Sequence, residues 1–479
     1  MTDITDVKWH FFHIRKRRPI YIYILYDAQR KPRKKINGKY YTVKNFGNID
    51  HKVVMNQDDF NKHEKELTCE LQKNPEVLLK ALRESYEYYE KNLQLWLKIF
   101  SIKDFSNYSN IELADTFEEY IETLVLYQAY LMLPLYVEDY INQFIVDKLK
   151  KYDKKDEIDA DYSIIMDSVK PSEVIQEKMS LLQVALQYKK GKDIEKELNE
   201  HVKNFSWMAN TLYDETYHSK EHYLKEIKEF SKRDVNRLII KLEDQIKNKE
   251  NLYDDLLDKF RHDKEFVTMI KTAQESIFFR SFRTERAYKS AYYMSNLLKE
   301  IAVRLGIKDY KDITYLSPVE IYDLLRNSEK ADIESINERR KGFCMITGIE
   351  QFRCISGKEL EELRKQIIIE TGSKDKIIGK CAFKGKVKGK VCLVLDKSQL
   401  DKIKEKDILI TPSTTVDYVK YLNKVSAIVT NEGGILCHAS LISREMRIPT
   451  VIGTQNATTL LKDGDYVEVD ADNGVVRKI

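Results

Sequence analysis

Between Asp58 and Arg340 apolar residues recur at three- and four-residue spacing, in runs such as LLKALRESYEYYEKNLQLWLKIF and FEEYIETLVLYQAYLMLPLYVEDYINQFIVDKLK. That period marks amphipathic helices. A charge-rich break over Lys150–Asp161 separates the first group from a second at Val174–Arg261. A third follows at Phe266–Asn327, and together they predict an irregular helical bundle. Ahead of it, the alternating β-formers Tyr21–Tyr26 and Tyr40–Val43, around the turn Asn37-Gly38, predict a hairpin or two strands. Beyond Lys341 the pattern changes to mixed short strands and one helix, Lys358–Ile369, with Gly342, Gly348, Gly357 and Gly372 spaced like hinges or an ordinary connector.

From Ile377 the elements shorten further. A strand–turn–strand over Gly379–Leu395, a strand at Asp407–Thr411, a short helix at Val416–Leu422 and a buried strand at Val425–Val429 are expected. A strand at Thr450–Ile452 and a closing hairpin over Asp465–Lys478, turning at Asn473-Gly474, complete the domain. The predicted organisation is a basic segment 1–57 with a β-hairpin, a helical bundle 58–340, a linker 341–376 and a domain 377–479. The fold class is α + α/β, a large mainly helical region followed by a compact α/β domain.

The chemistry concentrates in one stretch of that last domain, TNEGGILCHASLISREMRIPTVIG, Thr430–Gly453. After the strand, Asn-Glu-Gly-Gly allows tight turning and close backbone approach. His438 then opens a helix with apolar residues at Ala439, Leu441, Ile442 and Met446, which Pro449 stops. A glycine loop meeting a helix start collects free N–H groups and the positive end of the helix dipole, a setting suited to phosphate. A neutral imidazole there is a competent nucleophile near neutral pH. The other reading of His438 is a helix cap or packing residue.

The stretch resembles the phosphohistidine motif of the PEP-utilising enzymes, among them phosphoenolpyruvate synthase, pyruvate phosphate dikinase and rifampin phosphotransferase. Their mobile, or swivelling, domain carries T-x-x-GG-x-x-[SC]-H-A followed by R-E-x-x-I-P-x-[VI]-x-G. Here those positions are Thr430, Gly433, Gly434, Cys437, His438, Ala439, then Arg444, Glu445, Ile448, Pro449 and Gly453. The likeness extends from about Ile378 to the C-terminus through DILITPSTTVDYV and LKDGDYVEVDADNGVV. It implies that His438 carries a phosphoryl group, that Gly433 and Gly434 shape the loop, and that Thr430 and Glu432 orient it or contact phosphate. On the same reading Cys437 is expected to pack beneath the histidine and Arg444 to help neutralise phosphate charge. Leu436 stands where the synthase and dikinase usually have a phosphorylatable threonine, so that regulatory switch is not implied, and Ser440 replaces a common alanine.

The run SFRTERAYKSAYYMSNLLKEIAVRLGIKDYKDITYLSPVEIYDLL resembles the end of the helical domain that precedes the swivelling domain in rifampin phosphotransferase. The resemblance makes the helical region a candidate acceptor-binding domain. Arg280, Arg283 and Arg286 recur every third residue and suit phosphate or carboxylate recognition, or ion pairs with the acidic helices. His201 and Trp207 line an apolar acceptor pocket or pack in a core.

Glycine placement bears on the donor. Of sixteen glycines only Gly38, Gly47, Gly191 and Gly306 precede residue 331, so no nucleotide-binding loop and no ATP-grasp domain is expected. The PEP/pyruvate barrel is also expected to be absent. The expected donor is therefore ATP or PEP with Mg²⁺, handled by a separate ATP-grasp-type or PEP-binding subunit, with a small-molecule acceptor and no metal site or firmly bound cofactor here. The rival reading is a non-catalytic binding or regulatory protein that retains the swivelling fold. A third uses the basic clusters Arg15-Lys16-Arg17-Arg18 and Arg30-Lys31 through Lys34-Lys35 to bind RNA or an acidic ligand. A net charge of +4 gives nucleic-acid binding little support. With 33% charged residues, no apolar run of membrane-spanning length, no signal-peptide pattern and six scattered cysteines, a soluble cytoplasmic protein with reduced thiols is expected.

Overall fold

In a computed structural model of the chain, the residues described are 7, 9–14, 17–30, 38–49, 52–154, 157–209, 217–347, 352–366, 377–395, 397–414, 418–433 and 438–479, with His438 described by its backbone. Near the N-terminus lie β1 (Trp9–Ile14), α1 (Pro19–Arg30), β2 (Phe46–Ile49) and β3 (Lys52–Asn56). The strand expected at Tyr21–Tyr26 is helix instead. Pro19 to Gln29 are buried without interruption, so the IYIYILY alternation marks no exposed face and packing against neighbouring helices overrides β-propensity. A hairpin does form, one element later, between β2 and β3, with Phe46 opposite Met55. The Asn37 half of the expected turn and the basic run 31–37 lie outside the described residues.

The described part of the expected linker 341–376 joins this sheet. Its β4 (Phe343–Thr347) and β5 (Phe352–Ser356) complete an antiparallel sheet of order β1-β3-β2-β4-β5. Every residue of β4 is buried, which accounts for its apolar sequence FCMIT. Gly348 and Gly372 lie outside the described residues.

Between the two halves of that sheet run α2 (Gln57–Lys73), α3 (Glu76–Ser101), α4 (Asn110–Gln128), α5 (Leu133–Tyr152), α6 (Ile158–Ile165), α7 (Glu173–Lys189), α8 (Glu195–Phe205), α9 (Lys220–Ser231), α10 (Val235–Lys259), α11 (Lys264–Leu305), α12 (Pro318–Arg326) and α13 (Ile333–Lys341). The spine is α11, 42 residues and about 63 Å long at 1.5 Å per residue. Asp263 caps its start, accepting from Phe266 N at 2.9 Å and from Lys148 at 2.7 Å. Its end is Gly306 at φ 76°, the left-handed conformation glycine adopts without a Cβ clash. Most helices share one core with the N-terminal sheet, whereas α7 to α10 close a separate one around Leu182, Leu198 and Tyr223.

After α14 (Gly357–Gln366) the C-terminal domain contains β6 (Ile377–Ile378), β7 (Lys380–Phe383), β8 (Lys386–Leu393), β9 (Ile408–Thr411), α15 (Val419–Leu422), β10 (Ala427–Thr430), α16 (His438–Met446), β11 (Thr450–Ile452), α17 (Ala457–Leu460), β12 (Tyr466–Asp470) and β13 (Val475–Lys478). The sheet order is β6-β13-β12-β8-β9-β10-β11-β7. Its centre, β8-β9-β10-β11, is parallel, and its flanks are antiparallel. Strands buried on both faces, AIVT and TVI, need crossover helices, which α15 and α16 supply. The domain's core clusters are separate from the helical core.

Candidate functional site

Ligands of open α/β sheets bind beyond the carboxyl ends of the parallel strands, and here β10 ends at Thr430. Residues 431–433, the described part of the following loop, are held by hydrogen bonds to neighbouring elements. Thr430 Oγ1 donates to Glu432 O at 2.5 Å, folding the loop back on its own strand. The carbonyl of Thr430 accepts from both the amide and the hydroxyl of Thr454, at 3.0 and 2.9 Å. Asn431, 1% exposed, accepts from Thr458 N at 2.9 Å and donates to the Thr458 hydroxyl, tying the loop to α17. Gly433 has φ 129° and Gly453 φ 69°, and a Cβ on Gly453 would lie 2.8 Å from the Gly433 carbonyl. Both glycines are thus required by backbone shape. The loop delivers the chain to α16, which begins at His438.

That loop opens onto a cavity of about 750 Å³ between the C-terminal domain and the helical region. Asn431, Glu432, Gly433, Ala439 and Gly453 form one wall, and Ile277 to Met294 of α11 contribute much of the opposite one. Arg280 and Arg283 lie on that helical wall, Arg280 donating to Glu138 at 2.9 Å. Two contacts bridge the domains beside the cavity. Lys380 reaches Asp139 at 2.6 Å, and the Arg444 guanidinium carbon sits 5.0 Å from the centre of the Tyr162 ring. Burial pushes the Tyr162 phenol up to about 12, so it stays neutral beneath the cation.

Residues 403–474 match the family model described as PEP-utilising enzyme, mobile domain. This segment is a PEP-utilising enzyme mobile domain. Its relatives include a probable phosphoenolpyruvate synthase of Archaeoglobus fulgidus, 41% identical over 119 residues that cover 25% of this chain and 16% of that protein. A probable phosphoenolpyruvate synthase of Pyrococcus horikoshii is 43% identical over 121 residues, 25% of this chain and 14% of its own. The phosphoenolpyruvate synthase of Pyrococcus furiosus is 49% identical over 90 residues, 19% and 11%. Among solved structures, Thermococcus kodakaraensis aconitase X aligns over 22% of this chain and 98% of its own at 23% identity, with a TM-score of 0.18 too low to bear on the fold. The matched part spans about a sixth or less of the synthases, and in this chain it lies towards the C-terminus.

The mobile domain places the motif residues unevenly. Thr430, Glu432 and Gly433 are in the loop, with Glu432 buried at the cavity wall, and Arg444 turns from α16 towards α6. Gly434 and Cys437 lie outside the described residues.

The arginine row divides. Helical steps of three residues drift by about 60° each, so Arg286 points about 120° away from Arg280. It is buried in the bundle, bonded to Glu173 and lying 4.8 and 4.6 Å from the ring centres of Tyr89 and Phe282. Nor do His201 and Trp207 reach the cavity. They lie in the α7–α10 part of the bundle, His201 bonded to Ser180 at 2.9 Å and edge-on to Tyr223, Trp207 donating to Asn204 O at 2.6 Å. His201 borders a small separate cleft with Ser180 and Gln187 in that part of the bundle, away from the mobile domain, and Trp207 is buried. In the basic cluster, Arg18 is used internally, donating to Lys311 O at 2.5 Å and Thr314 Oγ1 at 2.9 Å.

Three residues of the cavity region escape sequence reasoning: Asn431, Tyr162 and Glu285. Asn431 sits inside the motif but at one of its variable positions. Glu285 carries a weak signal, an acid flanked by Arg283 and Arg286. Tyr162 becomes visible only when the chain is folded.

Among the described residues, no helix is long and apolar enough to cross a membrane.

Proposed function

We propose that this protein is a phosphotransferase, or a component of one, in which His438 receives a phosphoryl group and passes it to an acceptor held against the helical region. The observation that carries this reading is the position of the mobile domain's loop and following helix, whose Glu432, Gly433 and Ala439 share one cavity with Arg280 and Arg283 of α11. Phosphoryl transfer asks mainly for positioning and charge stabilisation, and a helix start opposite arginines offers both. The donor in this reading is ATP or PEP with Mg²⁺ on another polypeptide, of ATP-grasp or PEP-binding type. The separate cores of the two regions, bridged by an exposed ion pair and one cation–π contact, fit a mobile domain that visits donor and acceptor in turn.

The test is charging. The purified chain is incubated with Mg²⁺ and ATP or PEP, with and without an ATP-grasp polypeptide, and its intact mass is followed before and after acid. A gain of one acid-labile phosphoryl group, absent in His438→Ala, supports the relay. No gain with any donor and partner turns the reading towards a binding protein.

A further inference from the structure

The helical wall of the cavity carries a carboxylate in an unusual setting. Six acidic residues line the cavity, Glu432 from the mobile domain and five from the helical region, and three of those five are matched by cations: Glu138 by Arg280, Asp139 by Lys380 and Asp167 by Lys249. The fourth, Glu64, lies beside Asp139 and Lys380 at the domain junction. Glu285, the fifth, differs from all of these. Its nearest cations, Arg286 and Lys289 on the same helix, both reach Glu173, at 4.0 Å in the case of Lys289. Glu285 instead lies close to Glu173, the first residue of α7, whose N-cap Ser172 makes no side-chain cap bond. The groups facing Glu285 are therefore Glu173 from α7, Tyr127 from α4, and Arg286 and Lys289 from its own helix.

We propose that Glu285 is the catalytic base of the acceptor step, removing the proton from an alcohol hydroxyl as its oxygen attacks the phosphoryl group carried by His438. The inference rests on the relay reading above. In the step, the bond between phosphorus and the acceptor oxygen forms as the phosphorus–nitrogen bond to the imidazole breaks. The electron pair of that bond returns to the ring nitrogen, and the hydroxyl proton passes to the Glu285 carboxylate. A hydroxyl, unlike a carboxylate or phosphate oxygen, needs such a base because it must lose a proton to become the product ester. The side chain lines the cavity. Burial first, and then the charge of Glu173, push the carboxyl from 4.5 up to about 7, against the pull of Arg286 and Lys289. A base with its pKa near working pH is half available and still strong enough to take the proton.

The experiment uses the whole chain and no donor partner. Phosphoramidate, a small reagent that phosphorylates imidazole, loads the protein, and peptide mapping quantifies phosphate on His438. Its loss is then followed from pH 5 to 9 in water and with n-butanol, whose phosphate ester is measured. Uncatalysed loss slows as pH rises, because protonated imidazole is the better leaving group. In the wild type, loss and butyl phosphate formation are expected to climb through about pH 7 and level off. Glu285→Gln is expected to abolish the climb and slow transfer about 100-fold at pH 8, the lower end of what a positioned base contributes. Glu285→Asp is expected to keep a reduced climb, and Glu64→Gln the full one. Equal rates in wild type and Glu285→Gln, at equal loading, overturn the base while leaving the relay standing. Failure of His438 to take phosphate overturns the relay and the base with it.

Discussion

The Arg444 guanidinium lies 5.0 Å above the ring of Tyr162, joining the helix that begins at His438 to the helical region. A cation over an aromatic face contributes roughly 0.5–1 kcal/mol at an exposed site and more when water is excluded. Arg444→Ala and Tyr162→Leu are therefore expected to couple by about 0.5–1 kcal/mol in a double-mutant cycle of thermal unfolding. Additive losses contradict docking through this pair.

The loop between β10 and α16 depends on Gly453 as much as on Gly433. Gly453→Ala places a Cβ 2.8 Å from the Gly433 carbonyl on a backbone already at φ 69°. A loss of about 1–3 kcal/mol is expected, the usual size for a strained backbone site. Phosphate loading of His438 is expected to fall with it. A variant with unchanged unfolding and loading shows that the loop tolerates the shift.

Glu285 also predicts a pH dependence of stability. Its carboxyl is raised from 4.5 to about 7 in the folded chain, so between those values the unfolded state has already lost the proton that the folded state keeps. Stability from this group is full below about pH 4.5 and is lost as pH rises through about 7. Relative to Glu285→Gln, the wild type is expected to lose stability across that window and stay level above it. Denaturant melts of both proteins at pH 4.5, 6 and 8 measure the difference. A difference that does not change with pH means that the carboxyl titrates normally.

Much of the C-terminal domain is legible in the chain because its strands are short, apolar and separated by glycine or proline. TVI and the Asn473-Gly474 turn fall where the pattern puts them, and AIVT starts two residues after the expected strand and ends one residue beyond it. The N-terminal segment is not legible in this way. IYIYILY is buried on every side, and a segment without a polar face carries no period that distinguishes helix from strand. The pairing of β2 with β4, across some 300 residues, likewise leaves no local trace. At the site, the motif locates Thr430, Glu432, Gly433 and Arg444, but the opposite wall is set by helix rotation. That rotation turns Arg286 inward while Arg280 and Arg283 line the cavity, and spacing by threes hides it.

The most direct measurement is the site of acid-labile phosphate after charging with ATP or PEP and the donor polypeptide, mapped by mass spectrometry on peptides kept at neutral or alkaline pH. The account predicts one phosphoryl group per chain, on the peptide containing His438 and on none of the other eight histidines. Phosphate on a different residue, or none when a charged donor is demonstrably present, contradicts it.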